Sequence, residues 1–397
     1  MRHTDIAIAG GGLAGSTAAA MLGRAGFDAV LIDSHAAYPF DFRCEKLDAS
    51  QVRLVHKTGL AKDILAAGVI DEEVWIARFG RLIEKRPNRQ YGILYDVLVN
   101  TIRAAIPPRT AFIHGKVATI ATGPDRQKIT LSNGEEIAAR LIVLANGLNI
   151  GLRHALGMTR EIVSECHSIS VGFDVRPVGR AGFNFRALTY YPEQVGDRMA
   201  YLTFFPAGGA ALRGNLFVYR DMHDPWLRQL RTAPQEALFA VMPRLRKLTG
   251  TIEVSDVRVR PVDLYVTGGY RQNGVVLIGD AFATSCPAAG TGCNKVFTDV
   301  ERLCNVHIPR WLATAGMATE KIATFYDDPD KRACDAYSMR KAYHLRSLST
   351  DTALSWQARR WGRFFAQVGV GVLRQARVPM PARSLEQEEA AAGSAAR

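Results

Sequence analysis

The stretch Gly274-Val-Val-Leu-Ile-Gly279-Asp280-Ala-Phe-Ala-Thr-Ser-Cys-Pro287-Ala-Ala-Gly290-Thr-Gly292-Cys293-Asn294 decides the fold. It predicts a buried strand ending at an acidic residue, a loop with proline and two spaced glycines, and then a helix. Ligands of open α/β folds bind beyond the carboxyl ends of strands, so we expect Asp280 to meet a ligand hydroxyl there. The two loop glycines let backbone N–H groups approach that ligand at a helix N-terminus.

The beginning of the chain predicts the other half of a nucleotide site. An apolar run, 5–9, enters Gly10-Gly-Gly12-Leu13-Ala14-Gly15, and an alanine-rich helix follows to residue 25. A second apolar run, 29–32, ends at Asp33, where an acid accepts hydrogen bonds from an adenosine ribose. The alternative is an ordinary glycine turn. A ligand that bridges residues near 10 and near 280 must be long, and FAD meets that requirement.

Charge and cysteine content limit the function classes. The 397 residues carry a formal charge of +12, which suits nucleic acid, an anionic membrane, acidic small molecules or a basic solvated surface. We favour the solvated surface and expect no nucleic acid, because arginine is spread along the chain without a nucleic-acid motif. Six cysteines without metal-ligand spacing predict reduced thiols, a cytoplasmic protein and no metal.

The order of patterns predicts an α/β fold: a Rossmann-like FAD-binding domain with an inserted β-sheet substrate domain and a helical C-terminus. Residues 1–75, 100–165 and 270–330 are assigned to a discontinuous FAD-binding domain. Residues 76–99 and 166–269 are assigned to the substrate-binding sheet, 331–378 to C-terminal helices and 379–397 to a flexible tail. A hairpin of 112–119 with 128–131 and a helix over 234–248 are also expected.

Three motifs together resemble the FAD-dependent monooxygenase superfamily with the para-hydroxybenzoate hydroxylase fold, the group A flavoprotein monooxygenases. The first is the glycine loop with Asp33. The second is Leu141-Ile-Val-Leu-Ala-Asn146-Gly147 with Arg153, and the third runs from Gly279 to Asn294, with Asp299 in the following helix. The predicted cofactor-binding residues are Gly10, Gly12, Leu13, Ala14, Gly15, Asp33, Arg43, Lys46, Val117, Asn146, Gly279, Asp280, Pro287, Gly290, Gly292, Cys293 and Asn294.

Within that list, Arg43 and Lys46 either neutralise the pyrophosphate or are solvated loop charges. The helix N-terminus after Gly292 would stabilise negative charge on a reduced flavin, with Pro287 near the reactive edge. Two positions depart from the superfamily pattern. Asn146 stands where the second motif usually has aspartate, and Phe282-Ala283 replaces the common Ala-His. The resemblance therefore implies FAD, with NAD(P)H or a separate reductase as the electron donor.

The resemblance implies a monooxygenase that inserts one oxygen atom from O2 into an aromatic or lipophilic small molecule through a flavin C4a-hydroperoxide. Cys44-Glu45 is similar to geranylgeranyl-reductase-like members, so a reductase of isoprenoid C=C bonds is the alternative. Tyr201, Thr203 and Phe205 share one strand face that could contact the substrate, and Arg220 could receive a carboxylate; for each of them core packing or surface charge is the favoured alternative. The segment 356–365 mixes arginine with aromatic residues, which allows either packing on the protein or peripheral membrane contact.

Overall fold

The computed structural model describes residues 1–43 and 45–376. Its strands, in chain order, are β1 (Arg2–Ala9), β2 (Ala29–Asp33), β3 (Lys46–Leu47), β4 (Val69–Arg78), β5 (Arg81–Gly92), β6 (Ala111–His114), β7 (Val117–Ala121), β8 (Gln127–Leu131), β9 (Glu136–Leu144), β10 (Thr159–Pro177), β11 (Ala187–Tyr190), β12 (Met199–Pro206), β13 (Leu212–Val218), β14 (Ile252–Gly268) and β15 (Val275–Leu277).

The helices are α1 (Leu13–Ala25), α2 (Ala49–Lys57), α3 (Ala61–Ala67), α4 (Tyr95–Ala104), α5 (Gly151–Ala155), α6 (Pro225–Thr232), α7 (Pro234–Val241), α8 (Arg246–Thr249), α9 (Gly292–Arg302), α10 (Ile308–Leu312), α11 (Thr319–Tyr326), α12 (Pro329–Thr350) and α13 (Leu354–Ala376). Among the residues described, no helix combines the length and apolar content needed to cross a membrane.

The first sheet has the parallel order β6-β2-β1-β9. Two strands pair with the other side of β9. The strand β8 pairs antiparallel with the first half of β9, and β15 pairs parallel with the last residues of β9. Alternating β and α segments produce this arrangement, because each parallel pair needs a crossover connection. The predicted Rossmann-like domain is therefore confirmed.

The second sheet has the order β14-β10-β13-β12-β11-β4-β5-β3. One of its faces is apolar and contacts α6 and α7 through a core that includes Phe173, Phe204, Leu230 and Leu238. Apart from the short strand β3, its strands begin at Val69 and Thr159, before the boundaries at 76 and 166 that the sequence suggests. The division into domains remains a prediction.

Three expected elements differ from the structure. The run 112–119 is two strands: β6 pairs parallel with β2, while β7 pairs antiparallel with β8. The helix expected over 234–248 stops at Val241, because Pro243 cannot continue its hydrogen bonding, and a 3₁₀ turn follows. The strand β14 is not anticipated, since few of its residues are buried. The expected tail, 379–397, lies outside the described residues.

A carboxylate at the start of α12 joins the C-terminal helices. Asp328 caps α12, accepts a 3.0 Å hydrogen bond from Arg302 and lies 3.0 Å from His307 Nε2. Burial opposes its charge, yet hydrogen bonds from these two side chains lower the pKa of Asp328 to about 2.

Asp328→Asn should remove a stabilisation that depends on pH. Because the folded pKa lies below the ordinary 3.8, this carboxylate stabilises the fold fully above about pH 5 and loses its effect between about pH 4 and 2. Urea unfolding should show a deficit of about 2 kcal/mol at pH 6 that shrinks below pH 4. Asp63→Asn, which breaks an exposed ion pair with Arg24 away from these residues, is the control. A deficit equal at pH 6 and pH 3 would contradict the linkage.

Candidate functional site

The carboxyl ends of three parallel strands meet at one edge of the first sheet. Ala9 pairs with Leu144, and Leu144 pairs with Leu277. Gly10, Asn146 and Gly279 follow these strands within two residues, so the three sequence motifs come together at this edge. This is the edge at which α/β folds bind ligands.

The glycine loop is held by Asp33. The carboxylate of Asp33 accepts the Gly11 N–H at 2.6 Å and lies 3.2 Å from an Nη atom of Arg103. Arg103 in turn donates to the carbonyl oxygen of Gly11. A Cβ at Gly15 would overlap the carbonyl oxygen of Gly10, which explains why the third glycine is required. The loop therefore packs tightly against the sheet.

Asp280 is bonded to Arg43, a residue 237 positions earlier in the chain. The Arg43 Nη1 to Asp280 Oδ2 distance is 2.8 Å. Arg43 also donates to Asp41 at 2.6 Å, and Arg260 holds the other oxygen of Asp41 at 2.7 Å. Within the described residues Asp280 Oδ1 has no partner, which leaves it able to accept a ligand hydroxyl. Arg43 is therefore a structural partner of the site rather than a solvated charge.

The loop of the third motif turns through a 3₁₀ segment, Pro287–Ala289, into α9. Gly290 has a φ of 65°, and a Cβ there would meet no atom within 4 Å, so space is open beside it. Gln51 donates to the carbonyl oxygen of Gly290 at 2.9 Å and to Asn294 Oδ1 at 3.1 Å. These bonds fix the loop against α2 and the first turn of α9.

Two helices at this edge begin without a side-chain cap. Gly12 precedes α1 and Thr291 precedes α9, and neither first turn contains an acidic residue. By contrast, α2, α6 and α12 are capped by aspartate side chains, and α3, α4, α7 and α11, which also lack a side-chain cap, each have an acidic residue in the first turn. The Thr291 hydroxyl bonds Ser338 at 2.6 Å instead. The positive ends of both helix dipoles suit an anionic ligand.

Arg153 joins the second and third motifs. Its side chain is buried and donates to Gly147 O, Asn149 O and Ala281 O at 3.2, 3.2 and 2.8 Å. It also donates to the side chains of Tyr265 and Thr267 on β14. The Arg153 bonds connect the loop after β9, the turn after β15 and the second sheet.

Behind the turn lies a buried ion pair. Asp299 accepts the Gly279 N–H at 2.9 Å and the Lys331 ammonium at 2.7 Å. Phe282 packs on Tyr326, with the Lys331 ammonium 4.2 Å from the Phe282 ring centroid. Phe282, at which the sequence departs from the common motif, is therefore part of the protein core.

An aromatic face of the second sheet meets the loop of the third motif that contains Pro287–Ala289, called the Pro287 loop below. Tyr201 donates to the carbonyl oxygen of Ala288 at 2.7 Å, and its ring packs on Phe217 at 5.1 Å. Arg220 is already engaged: it pairs with Asp224 at 2.9 Å and donates to Asp197 O. Tyr201 is therefore the substrate candidate nearest to this loop, whereas Arg220 is not available.

Most of the predicted cofactor residues lie at the strand edge, but two are placed elsewhere. Lys46 lies on β3 of the second sheet, with its ammonium 5.3 Å from the Phe205 ring centroid. Val117 begins β7; Gly115, two residues earlier, donates to Asp33 O at 2.9 Å. Their cofactor contacts remain predictions. Sequence reasoning missed Arg103, Arg260 and Gln51, because their hydrogen bonds to the site span 67 or more residues and no local pattern marks them.

Comparisons with known proteins agree with this geometry. A family model described as FAD binding domain matches residues 3–308. The 3-demethoxyubiquinol 3-hydroxylase of Escherichia coli K12 is 24% identical over 76% of this chain and 79% of that protein. A 3-amino-4-hydroxybenzoate 2-monooxygenase of Streptomyces cremeus is 24% identical over 89% of this chain and 95% of its own length.

A solved structure shares the fold over nearly the whole chain. The p-nitrophenol 4-monooxygenase PnpA of Pseudomonas putida DLL-E4 superposes with a TM-score of 0.75 at 17% identity. The match covers 94% of this chain and 95% of that one. The arrangement of both sheets and the C-terminal helices is thus found in a known protein.

Asp280→Ala should weaken FAD retention, because it removes a hydroxyl acceptor and the partner of Arg43. We expect about a tenfold rise in the FAD dissociation constant, measured by flavin fluorescence after reconstitution. Asp327→Ala, which breaks an exposed ion pair with Arg271, is the control. Equal flavin affinity in both variants would show that the site is misplaced.

Proposed function

Because this chain belongs to the FAD binding domain family, we propose that it is an FAD-dependent monooxygenase that hydroxylates a small aromatic molecule. The proposal rests on two helix N-termini that have no side-chain cap, those of α1 and α9. Both lie at the carboxyl ends of the parallel strands, beside Asp33 and Asp280. The N-terminus of α1 suits a pyrophosphate, and the N-terminus of α9 suits the electron-accepting edge of a flavin.

When bound, FAD supplies electron transfer and oxygen activation. The protein's residues bind and orient. Asp33 is proposed to accept a hydrogen bond from an adenosine ribose beside its bond to Gly11, and Asp280 Oδ1 to accept one from a further hydroxyl of the cofactor. Gly10, Gly12, Leu13, Ala14 and Gly15 line the entry to α1, and Gly292, Cys293 and Asn294 form the first turn of α9.

The substrate is proposed to lie between the Pro287 loop and the second sheet. Tyr201 and Phe217 supply ring surface there, and Tyr201 also fixes Ala288. Close packing around Cys286 and Ala289, both buried, excludes water from this side of the loop. The hydroxylases and monooxygenases named above act, by their names, on ring compounds, which supports the same substrate class.

A reductase of isoprenoid C=C bonds is less well supported. The sequence feature that suggests it, Cys44, lies outside the described residues. Its neighbour Glu45 is buried in an ion pair with Arg213 at 3.0 Å, which gives it a structural role. The two hydroxylases reported above match three quarters or more of the chain.

NAD(P)H is the proposed electron donor, with a separate reductase as the alternative. Asn146 Nδ2 donates to Asn149 O at 2.8 Å, so the amide closes the loop of the second motif. Ala283 is buried and leaves the position of the common imidazole without a polar group. The reduction of the flavin by NADH and by NADPH is therefore the measurement that separates the two donors.

Anaerobic mixing of the flavin-loaded protein with NADH or NADPH should bleach the flavin, and an aromatic substrate should accelerate the bleaching. Admitting oxygen should then give one hydroxylated product per oxygen consumed, measured by an oxygen electrode and mass spectrometry. A reductase would convert substrate without oxygen. Flavin that stays oxidised with both nucleotides, yet is reduced by dithionite and then hydroxylates, would assign the electrons to a partner reductase.

We also propose that the outer side of α13 contacts an anionic membrane surface. Leu354, Trp361, Phe365 and Leu373 are 81%, 49%, 63% and 61% exposed. The helix contains arginine and no acidic residue. Such a combination binds interfaces through apolar area and attraction to anionic lipids.

Replacing Trp361 and Phe365 together by alanine should lower affinity for phosphatidylcholine vesicles that contain phosphatidylglycerol by about tenfold in a sedimentation assay. Tyr337→Ala, at an exposed aromatic position on α12, should leave binding unchanged. If wild type and the double variant bind the vesicles equally, α13 is not the contact.

A further inference from the structure

A cavity lies between the second sheet and the C-terminal helices. Its walls are Arg78 at the end of β4, residues 191, 192, 194 and 195 after β11, Ala200 on β12, residues 345, 348 and 349 of α12, and the inner side of α13. On α13 the lining residues are Arg360, Arg363, Phe364 and Gln367, which share one helix face by their spacing. This face is distinct from the exposed stripe that includes Phe365.

Three guanidinium groups line this cavity, and within the described residues none lies within 4 Å of a carboxylate. Arg78 uses Nε to bond Pro192 O at 2.9 Å, and Arg360 donates to Leu348 O and Asp351 O. For Arg363 no hydrogen-bond acceptor is found among the described residues. The cavity wall therefore has donors left for an anion, in the geometry that carboxylates accept.

The charges in the cavity repel one another. Burial, and then the neighbouring Arg360, lower the pKa of Arg78. Glu193 also acts on Arg78, but its carboxylate is held by the Tyr190 hydroxyl at 2.6 Å and pairs with Arg244. A bound anion would relieve this like-charge repulsion.

Aromatic surface surrounds the cations and leads toward the candidate site. The Arg78 guanidinium lies 5.4 Å from the Phe364 ring centroid, and that of Arg363 lies 5.9 Å from the Tyr191 ring centroid. Tyr191 contacts Tyr201 at 6.3 Å between centroids, and Tyr201 bonds Ala288 in the Pro287 loop. One chain of contacts thus links the cavity to that loop.

We propose that this cavity is a recognition site for the carboxylate of an aromatic acid, with Arg78, Arg360 and Arg363 as its anion donors. In the reaction proposed above, this site would select the substrate. That role rests on the proposed function, whereas binding of the carboxylate does not. Tyr191 and Tyr201 lie between the carboxylate site and the Pro287 loop.

Isothermal titration of the full chain, with and without FAD, tests the proposal with benzoate and its neutral analogue benzamide. We expect benzoate to bind at least tenfold more tightly. Arg363→Gln should weaken benzoate binding about tenfold and leave benzamide unchanged, because it removes a charged donor. Arg359→Gln makes the same charge change at an exposed position stacked on Trp356, and should have no effect.

Two outcomes of the titration would contradict the proposal. Equal affinity for benzoate and benzamide, or equal losses in the Arg363 and Arg359 variants, would overturn it. If Arg363→Gln weakens binding to phosphatidylglycerol vesicles but not to benzoate, the cavity takes a lipid headgroup instead. Arg78→Gln provides a second variant with the same expectation. Selective benzoate binding together with a negative result in the oxygen-consumption test under Proposed function would retain the cavity and refute only the monooxygenase proposal.

Discussion

The hydrogen bonds of Arg153 hold the candidate site together. The Nη1 and Nη2 groups of its buried guanidinium donate to three carbonyl oxygens and two hydroxyls rather than to a carboxylate, while Nε has no partner among the described residues. Those acceptors belong to the loop after β9, the turn after β15 and the strand β14. A buried cation that loses such partners becomes costly, so the three segments are held in one relative position. The alignment of the strand ends with the second sheet depends on this contact.

A second constraint comes from two opposite charges in one short segment. Arg43 reaches Asp280 at the first sheet, while Glu45 pairs with Arg213 in the second. Burial raises the pKa of Glu45 even with Arg213 beside it, because the carboxylate is removed from water. Buried pairs persist only when their geometry and additional hydrogen bonds are good, and Asp174 provides one more bond to Arg213. The segment is thereby anchored to both sheets.

Local patterns in the sequence predicted the elements that carry the site. The run into Gly10, the turn at Gly290 and the start of α9 are encoded by neighbouring residues, and the structure has each of them. The pairings that give these elements their chemistry are long-range. Asp33 with Arg103, and Asp280 with Arg43, join residues with no shared periodicity. Lys46 shows the opposite case: proximity in sequence to Arg43 suggested a shared role, but β3 places it in the other sheet.

The electrostatics of α9 connect these observations to function. Its flank contains two lysines and two aspartates: Lys331 lies 2.7 Å from Asp299, and Lys295 lies 2.7 Å from Asp335. Because these charges balance and the first turn of α9 contains no acidic residue, the positive end of the helix dipole remains available. The Thr291 hydroxyl is directed to Ser338, so it does not cap the first turn of the helix. A ligand that gains negative charge at this end of the helix would therefore meet an undiminished positive potential, which is the requirement for stabilising a reduced flavin.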